Sequence, residues 1–586
     1  MHIRGLMALI LAGTLTSAGE SVKLPPAAGM FDLYRQNRLF KVPNQITEDF
    51  LLLSYSMIAE EAVSKIETEK DVPGFSGMVK RLHTVAKSAG TGAAEKANAQ
   101  FLAVLDDLLA ENPAQASDAA VARELELIRG AAGPARSDIL SQTIDYSQFR
   151  PRGHYTATPA LSRYFQAIRY AGAALFYVQA SQATGIDAAT ADRLTQQAML
   201  LSQWMDRDPQ SKKWYGEFEA RRSWMFGPAE DLRFEDVIKV AATLPKSPIP
   251  TVRSGLLRFA HQNGRQPAVL SGVFDPSRLE TGVTAADAFT GFRLVPGSFT
   301  PAAAAAQELV YPKVGKYLGT ATPQSITSVN GTLVKGFPLA NEIMSLLGSG
   351  QAAESLKKSD DTNYQDYPAA ATKAKQLLAR PAGLPGRQLD LLKSWFAEGE
   401  PTNPSRLDTA RGFWTWMLHG SVLYAKQSYT GVGKGLSPRD DRTSAWLEPA
   451  AGLYTGLRDI SAEWARRTAD ARFTAFTKVL DRCLEIAKKE KAGTALPAED
   501  VEYLNGLDLE LLALTGGEDH PIAADFHTDL NSGKVLTEAL AYPRSDESHP
   551  EARGARFQPE EFKQDVSNRL TDEAWQASLK NGGAKQ

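Results

Sequence analysis

Apolar positions along this chain recur with a helical period far more often than they alternate. In "EDFLLLSYSMIAEEAVSKIE", Phe50, Leu53, Met57, Ile58 and Val63 mark one apolar face. In "RDISAEWARRTADARFTAFTKVLDRCLEIAKKE" the marks are Ile460, Trp464, Phe473, Phe476, Leu480, Cys483 and Ala487. Both stretches predict long amphipathic helices. Further helices are predicted in "EKANAQFLAVLDDLLAEN", "LSRYFQAIRYAGAALFYVQA", "ADRLTQQAMLLSQWM", "PLANEIMSLLGSGQAAESLKK" and "GRQLDLLKSWFAEG". Only "AADFHTDLNSGKVLTEAL" alternates, around an Asn-Ser-Gly turn, which predicts a small β-hairpin over about 522–540. The expected fold is mainly α: a large multi-helix domain of long amphipathic helices with a small hairpin near the C-terminus. Its helical N-terminal part spans 25–390 and its C-terminal part, with the hairpin, 391–586.

Proline and glycine clusters such as "FRPRGHYTATP" and "ARPAGLPGRQ" punctuate the helices, but none is long enough for a flexible linker. Helical units are irregularly spaced, so no repeat array is expected. With 65 basic and 68 acidic residues among 586, the chain has no excess of positive charge, which argues against nucleic acid as a partner. The opening "MHIRGLMALILAGTLTSAGE" has a basic start, a short apolar run and small residues Thr16 and Ala18. It predicts a signal peptide over residues 1–18, hence a periplasmic or secreted protein, and it is too short for a membrane anchor. Cys483 is the only cysteine, so no intramolecular disulfide can form, and its spacing makes it a core residue.

Familiar catalytic motifs are missing: no nucleophile elbow, zinc helix, Walker loop or Cys-x-x-Cys pair occurs. Three stretches can carry chemistry. In "DFHTDLNSGKVLTE", strand alternation predicts that Asp525, His527 and Asp529 share one face, with Leu536 opposite His527 and Glu538 opposite Asp525. Two carboxylates and an imidazole suit one divalent metal ion; an exposed, solvated hairpin is the alternative. "HGSVLYAKQSYTG" reads as the continuation of a buried helix. His419, Tyr424 and Lys426 are its candidate catalytic groups, and Gln427, on the face of Tyr424, a candidate ligand contact. The same polar residues can equally serve to cross-link helices. "FRPRGHYTATP" offers Arg152 and His154 for ligand binding just before a helix beginning near Thr158 or Pro159, or else a loop tied by arginine hydrogen bonds.

Taken together, "LYRQNRLFKVPNQITEDFLLLSYSMI", "FRPRGHYTATPALSRYFQAIRYAG", "WTWMLHGSVLYAKQSYTG" and "ADFHTDLNSGKVLTEAL" resemble, in this order, the bacterial and archaeal family called domain of unknown function 3160. The resemblance implies no reaction. It does imply histidines where this chain has Leu53 and Ser56, and an aspartate where it has Gly420, so part of a family site is altered. The expectation for function is an exported cell-envelope protein acting as a metal-assisted hydrolase. In that reading Asp525, His527 and Asp529 hold the ion and His419 or Lys426 handles protons. The alternative is a non-catalytic periplasmic protein that binds a small molecule, peptide, glycan or protein partner through an aromatic-rich groove.

Overall fold

The computed structural model describes residues 26–113, 115–329, 331–398, 405–425, 444–546, 548–549 and 552–581. The predicted leader, Lys426 and Gln427 lie outside the described residues.

The helix Glu48–Ile66 runs through the middle of the molecule. Thr47 caps it by accepting a hydrogen bond from the Phe50 N–H, and Glu48 and Asp49 place negative charge at its first turn. Its first half is buried on every side, from Phe50 to Ser56, which explains why so many apolar residues run together there. The helix passes without a break through a π-turn, Glu67–Asp71, into Val72–Ser88. Pro73 opens that second helix; it has no N–H to donate and its ring crowds the carbonyl four residues back, and the wide turn accommodates both.

The fold is mainly helical, and its hydrophobic core draws residues from Ala27 to Phe557. Predicted helices form at Ala93–Leu109, Pro159–Ala173, Ala188–Arg207 and Gly383–Ala397, the second capped by the Thr158 hydroxyl. Three predictions need correction. "PLANEIMSLLGSGQAAESLKK" is two helices, Ala340–Leu347 and Gly350–Ser359, parted at Gly348 and Ser349. The stretch from Arg458 to Glu490 is two helices, Ala451–Thr468 and Ala471–Lys491, packed on each other. Ala469 turns left-handed (φ 57°) and Asp470 caps the second helix, a break that apolar spacing alone does not register. The helix Arg406–Gly420 ends where "HGSVLYAKQSYTG" begins, with Ser421 as its cap and a turn through Tyr424. The Gly-Ser pair stops it, since neither residue favours a helix interior.

The predicted hairpin is part of a three-stranded antiparallel sheet in the order Pro559–Asp565, Lys534–Leu540, Ile522–Asp529. Leu536 lies opposite His527 as expected, but Asp525 faces Thr537 and not Glu538, because a bulge at Phe526 shifts the register. Helix Arg406–Gly420 packs on this sheet and against Glu48–Ile66. Gly412 makes that approach possible: a Cβ there would sit 2.3 Å from the ring of Phe557. Among the described residues no helix is long and apolar enough to cross a membrane.

Candidate functional site

Where these elements meet, five ionisable side chains form a buried row of alternating charge. Asp572, at the start of helix Asp572–Lys580, lies 2.9 Å from Nε2 of His419. Nδ1 of His419 is 2.9 Å from Oε1 of Glu60, too bent for a good hydrogen bond but close enough for an ion pair. The same oxygen is 3.4 Å from Nδ1 of His154, whose Nε2 is 2.8 Å from Glu67. Glu67, in the π-turn, also accepts a hydrogen bond from the Tyr155 hydroxyl at 2.8 Å. Gly153, left-handed at φ 60°, lets the turn carrying His154 come against the His419 ring.

The energetics follow from burial and pairing. Burial works against a charged His154, but hydrogen bonds to Glu60 and Glu67 outweigh it and push its pKa up to about 9. For His419 burial is again overcome, by Asp572 and Glu60, and the pKa lies well above that of a free imidazole. Glu60 is driven well below the usual carboxylate range, because the two histidines outweigh the burial that would raise it. Both histidines are therefore cations at neutral pH with both ring nitrogens engaged. Neither has a lone pair to offer, so the row ties four chain segments together and cannot act as a general base in this state.

The sheet edge beside this row holds the predicted metal ligands, and the bulge at Phe526 parts them. Asp525 points towards Arg152 and Arg569, which lie 3.0 and 2.8 Å from its Oδ2. Arg569 also donates to Thr528 and Ser147. The Asp529 carboxylate accepts from the N–H groups of Asn531 and Ser532 and from both their side chains, so it shapes the hairpin turn. The trio expected to share a face does not converge. Among the described residues no group of three or more histidine, cysteine, aspartate or glutamate side chains is placed to hold a metal ion. Arg152, expected to meet a ligand, is buried against Asp525 and the carbonyls of Arg150 and Gln148.

Two cavities flank the strand Ile522–Asp529. The smaller, about 90 Å³, is mostly apolar, walled by Trp414, Trp416 and Met417 with Glu60 at one side. Ser56 and Gly420 also line it, two of the positions where the family resemblance implies other side chains; Leu53 is in the core. The larger, about 660 Å³, is lined by His527, Thr528 and Asp529 from the strand and by residues as distant in sequence as Asp145, Arg293 and Lys335. The turn after His419 divides in the same way, with Ser421 and Val422 on the smaller cavity and Leu423 and Tyr424 on the larger. Burial and the nearby Lys335 push the His527 pKa down to about 4, against the opposing pull of Asp529 and a backbone contact to Gly336, so its imidazole is neutral. The Tyr424 hydroxyl is bonded to that of Tyr164 at 2.7 Å and the ring stacks on Phe226, and burial drives its pKa well above the ordinary value. It is therefore no nucleophile or base near neutrality.

Sequence reasoning missed Glu60, Glu67 and Asp572. The spacing of Glu60 and Glu67, seven residues apart in an apolar helix, is a signal for the first two; nothing local marks Asp572.

A mainly helical protein with a large cavity of mixed polar and apolar lining beside a locked row of ion pairs is the class these observations define. The chain belongs to the family described as "Protein of unknown function (DUF3160)", which it matches over residues 19–586. No curated protein and no solved structure matches it.

Proposed function

We propose that this is an exported cell-envelope protein that binds a ligand, either a small molecule or a segment of a peptide or glycan, in the larger cavity. The supporting observation is that cavity itself: its 660 Å³ lies within the ~300–1,000 Å³ typical of small-molecule sites, and its wall gathers aromatic and polar side chains from across the sequence. The metal-assisted hydrolase has less support. Asp525 is held by two arginines, Asp529 is spent on its turn, and His419 is locked as a cation between two acids.

Native mass spectrometry of protein purified under gentle conditions tests the proposal. The expected result is a discrete bound mass on the parent that is reduced in Gln307→Trp, since Gln307 is half-buried on the cavity wall and an indole there takes up part of the space. A bound mass retained in full by Gln307→Trp would place the ligand elsewhere and contradict the proposal.

A further inference from the structure

We infer that the larger cavity selects an uncharged, hydroxyl-rich ligand: a neutral saccharide. This rests on the binding proposal above and narrows it. Four cations line the wall, and each has a partner within the protein. The Lys335 ammonium, fully buried, lies 3.1 Å from Glu342 and donates to the Asp361 carbonyl. Arg293 faces Asp231 at 3.3 Å and donates to the Gly172 carbonyl, Arg169 donates to Gln148, and Lys313 reaches Glu308 at 3.3 Å. The three wall carboxylates are likewise answered. Asp145 accepts from Ser147 and faces Arg569, Asp275 accepts from the N–H and hydroxyl of Ser277, and Asp529 accepts from Asn531 and Ser532. The neutral imidazole of His527 completes the set.

A charged ligand entering this cavity would leave water and have to compete with the hydrogen bonds and ion pairs these charges already make, a costly exchange. A peptide short enough to fit brings both terminal charges with it. What the wall offers instead is neutral: the aromatic faces of Tyr177, Phe274 and Tyr311, the amide of Gln307 and the hydroxyl of Thr327. A pyranose ring matches both, with apolar C–H faces for the rings and hydroxyls for the amide and hydroxyl groups.

Isothermal titration of the full chain separates the possibilities. The neutral probes are maltotriose, cellotriose and triacetylchitotriose; trigalacturonate, the de-acetylated chitosan trimer and trialanine are the charged ones. Saturable binding of at least one neutral trisaccharide is expected, unchanged between low and high salt. It should weaken about tenfold in Tyr311→Ala, where a partly exposed stacking face is lost, and weaken likewise in Gln307→Trp, which loses an amide and narrows the cavity. Cavity-dependent binding of a charged probe alone, or a co-purified cavity ligand that carries a net charge, would overturn the saccharide inference and leave the binding proposal standing. No binding by any probe and no co-purified ligand would overturn both.

Discussion

Glu60 holds two imidazolium rings on one side chain, and the cost of burying those charges is offset only because each is paired. The pH dependence follows directly. The His154 pKa rises from an ordinary value near 6.5 to about 9 on folding, so its contribution is fully present below pH 6.5 and is lost as pH climbs through 9. Over that window urea unfolding of the parent should lose roughly 3 kcal/mol more than unfolding of His154→Gln. Parallel curves for the two proteins would mean that His154 is not held as a cation. The position of the pair was legible only in part. His154 and His419 stood out as polar residues in apolar surroundings, but their acids come from a helix some 90 residues upstream of His154 and from the last described helix. Chain-distant pairing of this kind leaves no local pattern.

At the scale of elements, helical period located most helices because burial on one face imposes it. It failed where a break costs little, as at Ala469, and where a helix stops, as at Gly420. The strand alternation that grouped Asp525 with His527 and Asp529 was sound for a regular strand. The bulge at Phe526 places Asp525 among arginines and leaves His527 facing the larger cavity, and one extra residue in a ladder has no signature in composition or period. The junction of helix and sheet depends on Gly412. Gly412→Val should destabilise the protein by about 1–3 kcal/mol, read as a lower urea midpoint, because the new side chain meets the Phe557 ring, just before strand Pro559–Asp565, and must displace it or the helix. An unchanged midpoint would show that the contact has room to give.

At the scale of the whole molecule, the polar groups of the candidate site fall on two sides of the strand Ile522–Asp529 and the turn after His419. On one side lies a row of ion pairs whose partners are fully committed; on the other lies a cavity whose wall charges already make hydrogen bonds or ion pairs within the protein. Hydrogen exchange with and without the tightest-binding trisaccharide tests that division most directly. Peptides covering 142–149, 293–297 and 527–531 should gain protection together while those covering 60–67 and 572–580 stay unchanged. Protection concentrated at 60–67 and 572–580, with the cavity segments unaffected, would contradict the account and make the ion-pair row the binding site.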